Sequence, residues 1–110
     1  MAYSRIIKYT RPNTGVDLPK VADNHGAYDT FSRDKFAEHG ISRNFSWDSD
    51  ELVMTCTLEA ADKSTMETAV AEVEAHSDAT AANNAIKSAC QAAGITLEVT
   101  DSDGADLGSF

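Results

Sequence analysis

The chain has 110 residues, 42% of them hydrophobic and 25% charged, and a formal net charge of −9, the make-up of one globular domain rather than of a disordered or fibrous chain. No apolar run is long enough to cross a bilayer as a helix, and an acidic chain repels the phosphates behind most non-specific nucleic-acid affinity, so neither membrane nor nucleic acid is expected as a partner. The charge is lopsided: residues 1–20 hold Arg5, Lys8, Arg11 and Lys20 against Asp17, a balance of +3, whereas residues 44–110 hold two lysines against thirteen carboxylates, a balance of −11.

The first residues, Met1 to Arg5, lack the apolar stretch and small-residue cleavage site of a secretory signal, which makes the cytoplasm the expected compartment. Residues 3–11 are rich in β-branched and aromatic types and run into Pro12-Asn13-Thr14-Gly15, a strand closed by a turn. A loop of about a dozen residues, 16–27, follows, a length at which loops begin to be functional or mobile. From Tyr28 to His39 the apolar residues Tyr28, Phe31, Phe36 and Ala37 fall on one side of a helix that Gly40 ends.

Ile41, Phe45 and Trp47 then alternate with Ser42, Asn44 and Ser46, and beyond Asp48-Ser49-Asp50 the positions Leu52, Met54, Cys56 and Leu58 alternate with Val53, Thr55 and Thr57, which gives a hairpin. Ser64-Thr65-Met66-Glu67 has the form of a capping box and starts a helix with the stripe Met66, Ala69, Val70 and Val73. A second stripe, Ala82, Ala85, Ile86, Ala89, Cys90 and Ala93, precedes Gly94. Between Met66 and Ala82 an unbroken helix would turn the stripe by about 160°. One straight helix cannot bury both stripes, so the spacing predicts two helices or a bend at Ser77-Asp78, both good cap residues. Ile95, Leu97 and Val99 mark a last strand, and 101–110 read as an acidic polar tail after a single domain at 1–100.

The element order β-α-β-β-α-(α)-β predicts an α+β, ferredoxin-like split βαβ fold: a four-stranded sheet with helices on one face. Its other face would then be polar, hold a ligand or meet a second subunit. Depending on register, that face carries either Arg5, Tyr9 and Arg11 or Lys8 and Thr10.

Chemistry is thinly signposted. His25, His39 and His76 form no ligand pattern, so no metal is expected, and no serine elbow or phosphate loop occurs. Cys56 and Cys90 match neither zinc nor redox spacing and sit on apolar stripes as core thiols, able to pair only if strand and helix meet there. Asp101-Ser-Asp103-Gly104-Ala-Asp106 superficially resembles a calcium loop, but Asp106 stands at loop position six, where glycine is needed, and position twelve supplies no bidentate carboxylate. Trp47, with Phe45 and Ile41 on alternate strand positions, reads as core, or as a dimer anchor if the open sheet face is an interface.

In element order and length, with the long first loop, Gly40-Ile41-Ser42-Arg43 entering the hairpin and an extra helix before the last strand, residues 3–100 resemble the dimeric α/β-barrel superfamily, antibiotic-biosynthesis-monooxygenase-like branch. The resemblance implies sheet-to-sheet homodimers, some of which oxidise small aromatic substrates or degrade haem. Thr55 to Glu59 lacks the Trp found there in haem-degrading members, although His76 ends the next helix, and no cofactor is expected.

The leading expectation is thus a non-enzymatic acidic protein acting through protein contacts as a homo-oligomer joined by a sheet face. The alternative is a small-molecule binder or cofactor-poor monooxygenase of that superfamily, with Tyr9, His25, Tyr28, Asn44 and Trp47 near a pocket. A third reading makes the acidic half a decoy for a basic partner.

Overall fold

A computed structural model of the chain describes residues 2–18, 26–105 and 107, with 26–30 described by their backbone. The described elements are β1 (Tyr3–Thr10), α1 (Gly26–Glu38), β2 (Ser42–Trp47), β3 (Val53–Ala60), α2 (Lys63–Glu74), α3 (Ser77–Ala92) and β4 (Thr96–Asp101). The strands form one antiparallel sheet in the order β2-β3-β1-β4, the ferredoxin-like arrangement that the element order predicts.

Strand alternation sorts the side chains. Tyr3, Arg5, Cys56, Leu58 and Ala60 are buried beneath the helices, together with Met66, Ala69, Val70 and Val73 of α2, Ala79 of α3 and Phe36 of α1. Each fully buried Leu, Val or Met contributes about 1.5–3 kcal/mol, so this cluster is the main source of stability. A smaller cluster of Ile86, Cys90 and Ile95, with Tyr9, Val16 and Leu18 against it, covers the far end of β1. The register puts Lys8 and Thr10, not Arg5 and Tyr9, on the open face. They share it with Ser4, Ile6, Thr55, Thr57, Glu59, Asn44, Ser46, Thr96, Glu98 and Thr100.

Gly40, the predicted stop, and Gly94 both sit in Schellman caps. The Ile41 and Gly40 amides donate to the Phe36 and Ala37 carbonyls at 2.9 and 3.0 Å, and the Ile95 and Gly94 amides to those of Cys90 and Gln91 at 2.8 and 3.2 Å. Gly40 and Gly94 adopt φ of 69° and 75°, the left-handed region that a Cβ disfavours.

The helical segment breaks where expected, but neither Ser77 nor Asp78 caps it. His76 does, its Nδ1 accepting from the Ala79 amide at 3.2 Å while the ring stacks on Phe31 with centroids 4.0 Å apart. Likewise α2 is capped by Asp62, whose carboxylate accepts from the Thr65 amide and hydroxyl at 2.8 Å each, instead of by a box at Ser64. An ionised carboxylate is the stronger acceptor for an orphan amide.

The first stripe is buried as read, whereas the second is rotated: α3 buries Ala79, Asn83, Ile86 and Cys90 and exposes Ala85, Ala89 and Ala93. Alanine methyls bury too little area to orient a helix, so Ile86 and Cys90 decide the rotation. The tail reading also needs correction up to Leu107. Asp101 is the last residue of β4 and buried, and Leu107 packs against the main core.

Candidate functional site

Three rows of side chains cross the helix-side face of the sheet: Leu97, Tyr9, Met54 and Trp47; then Val99, Ile7, Cys56 and Phe45; then Asp101, Arg5, Leu58 and Arg43. Each row begins on the β4 edge and ends on the β2 edge. At the β2 end the helix layer stops short, and neither core cluster includes Phe45 or Trp47. Both stay exposed, Phe45 at 55% and Trp47 at 45%, contrary to the core role that alternation suggested for Trp47. They lie on the helix side of the sheet, so Trp47 does not belong to the open face.

Each ring carries a guanidinium. Arg11 lies over Trp47 at 4.6 Å from its centroid and Arg43 over Phe45 at 4.9 Å. Arg11 is held in place by the carbonyls of Glu51 at 2.7 Å and Val16 at 3.1 Å, which receive its Nε and Nη1 hydrogens. The hairpin is braced by Asp48, whose Oδ1 accepts from the Leu52 and Val53 amides at 2.8 and 3.0 Å. Glu51 adopts a left-handed φ of 58° there. The result is an edge strand with a fixed aromatic and cationic margin in an otherwise acidic chain.

At the opposite edge, polar contacts gather around the Asp101 end of β4. Arg5 Nη1 lies 3.0 Å from both carboxylate oxygens of Asp101, and the two side chains are 0% and 2% exposed. The Leu107 amide donates to the same carboxylate at 3.1 Å. Asp103 accepts from the Tyr3 hydroxyl and pairs with Lys63 Nζ, both at 2.7 Å. Lys63, aided by Tyr3, holds the Asp103 carboxyl well below the usual carboxylate range. Burial, reinforced by Asp103, pushes the Tyr3 hydroxyl well above its ordinary value. Several carboxylates of the acidic half have separate settings: Asp101 is buried, Asp103 is paired, Glu72 lies 2.8 Å from His39 Nε2, and Glu59 and Glu98 point to the open face.

Of the five residues suggested for a pocket, the three whose side chains are described, Tyr9, Asn44 and Trp47, are not brought together. Tyr9 lies under α3, where burial pushes its hydroxyl up to about 12. Trp47 stands at the β2 edge and Asn44 on the open face of the same strand. His25 lies outside the described residues, and Tyr28 is placed only by the backbone of α1. Cys56 and Cys90 are free thiols, both raised by burial and so poor nucleophiles. Among the described residues no group of three His, Cys, Asp or Glu could hold a metal ion, and no helix is long and apolar enough to cross a membrane.

Period-two alternation could not reveal the β2 margin, because it assigns a side to each residue and says nothing of how far the helices reach. The one available signal was the run Arg43-Asn44-Phe45-Ser46-Trp47, a strand without a carboxylate in an acidic chain. Comparisons with protein-family models, curated proteins and solved structures return no match.

Proposed function

We propose that the chain acts through protein contacts as a homodimer joined along the β2 edges, and not as an enzyme. The observation that carries this reading is the pair of exposed aromatics, Phe45 and Trp47, on an edge strand. Edge strands are normally blunted by lysine, proline, a bulge or inward charge, because their open backbone recruits another strand. β2 carries Arg43 alone, and Trp, Phe and Arg are the residue types that anchor interfaces.

β2 is also self-complementary. In a two-fold antiparallel pairing centred on Phe45, that ring meets the partner's Phe45 and Arg43 meets the partner's Trp47. On the other side Asn44 faces the partner's Ser46, and no like charges oppose one another. The open sheet face is the weaker candidate, since hydroxyls, Lys8 and Glu98 dominate it and little apolar area would be buried.

Size exclusion with light scattering on the full chain tests the proposal. Twice the 11.8 kDa chain mass is expected, reverting to one chain in Phe45→Lys with unchanged circular dichroism. A strict monomer at high concentration would overturn it.

A further inference from the structure

At the β4 edge, opposite to β2, a cavity of about 340 Å³ opens between the sheet and α3, lined by Lys87, Cys90, Gln91, Ile95, Leu97 and Val99. It exists because α3 crosses over Tyr9 and packs Ile86, Cys90 and Ile95 there, leaving Leu97 and Val99 on β4 only half covered. Four of its six lining side chains are apolar or thiol. The polar ones, Lys87 and Gln91, are four residues apart on α3 and so share one face of the helix.

Lys87 is the one basic residue of α3, and the helix's one acidic residue, Asp78, lies in its first turn at the other end. Among the described residues Lys87 makes no ion pair. An ammonium group beside an apolar hollow, in a protein of net charge −9, marks a local preference for an anionic head on an apolar body. The size agrees: a dry apolar cavity of roughly 150 Å³ takes a benzene ring, so twice that volume takes a ring with a short tail or a chain of about eight carbons.

We infer that this cavity binds a small apolar monocarboxylic acid. Its body lies against Cys90, Ile95, Leu97 and Val99, and its carboxylate accepts hydrogen bonds from the Lys87 ammonium and the Gln91 amide. The inference is independent of the dimer, because β2 and β4 are opposite edges of the sheet.

The test is a titration of the full chain with octanoate, octanol and octyltrimethylammonium, followed through the methyl NMR signals of Ile95, Leu97 and Val99. Octanoate is expected to shift these methyls saturably and to bind more tightly than octanol, with the cation weakest. Lys87→Gln should weaken octanoate about tenfold while leaving octanol unchanged, the effect of losing one charge-assisted hydrogen bond. Absence of saturable shifts at millimolar octanoate would overturn the site. Equal affinity for octanoate and octanol, or an unaltered octanoate affinity in Lys87→Gln, would overturn the assignment of the anionic head.

Discussion

The two edges of the sheet sort their side chains against hydropathy. On the β4 side a carboxylate, Asp101, is 4% exposed, whereas on the β2 side Phe45 and Trp47 are 55% and 45% exposed. The difference lies in what each edge finds within its own chain. Asp101 has Arg5 directly opposite in register and Leu107 returning over it, so its charge is matched inside. Phe45 and Trp47 have a guanidinium over each ring, and neither ring belongs to a core cluster. Asp101 finds its counterpart within the chain, whereas Phe45 and Trp47 are left exposed at the β2 edge.

The largest expected effect falls on the β4 edge. Asp101→Ala removes a carboxylate bonded at 3.0 Å to the buried Arg5 guanidinium and should cost about 3–5 kcal/mol in urea unfolding. The double variant Arg5→Met, Asp101→Leu should recover most of that loss, because it removes both charges and keeps the volume. An equal loss in both would show that the pair matters by shape and not by charge.

High pH probes the interior between the edges. The Tyr9 hydroxyl is pushed up to about 12 from an ordinary 10, first by burial, so the fold holds the neutral phenol while the unfolded chain ionises near 10. A raised folded value contributes stability that is complete below pH 10 and is lost as the pH climbs through about 12. Urea midpoints should therefore fall across that window. Tyr9→Phe should flatten the decline in part, with Tyr3 supplying the remainder.

Smaller effects sharpen the contrast. Asp62→Ala removes the cap of α2 and should cost about 1 kcal/mol by thermal unfolding, with Ser64→Ala nearly neutral. At the β2 edge, Phe45→Lys should change monomer stability by less than about 0.5 kcal/mol, as expected of an exposed residue away from the core. A large destabilisation there would mean that Phe45 is structural after all.

Much of this architecture was legible in the sequence, and the failures have physical causes. Alternation gave the strands, Gly40 gave the end of α1, and the stripe rotation of about 160° gave the break between α2 and α3. Caps were misread because more than one residue near each helix start could serve: Asp62 displaced Ser64, and His76, favoured by its stack on Phe31, displaced Ser77. The residues from Asp101 to Ala105 looked like part of a solvated tail because Asp101 and Asp103 have partners, Arg5, Tyr3 and Lys63, that are remote in sequence. The candidate site was missed for a related reason. Where the helix layer ends over β2 depends on how α1, α2 and α3 pack on one another, which no local pattern encodes.

The β2 pairing can be tested by a single engineered thiol. In a Cys56→Ala background, needed because Cys56 lies opposite residue 45 on β3, Phe45→Cys should form a disulfide-linked dimer on mild oxidation. Directly opposed residues of an antiparallel pair have Cα atoms about 4.5–5.5 Å apart, within disulfide reach. Thr57→Cys, on the open face, should remain a single chain under the same conditions. Linkage through residue 57 and none through residue 45 would contradict the edge-to-edge homodimer.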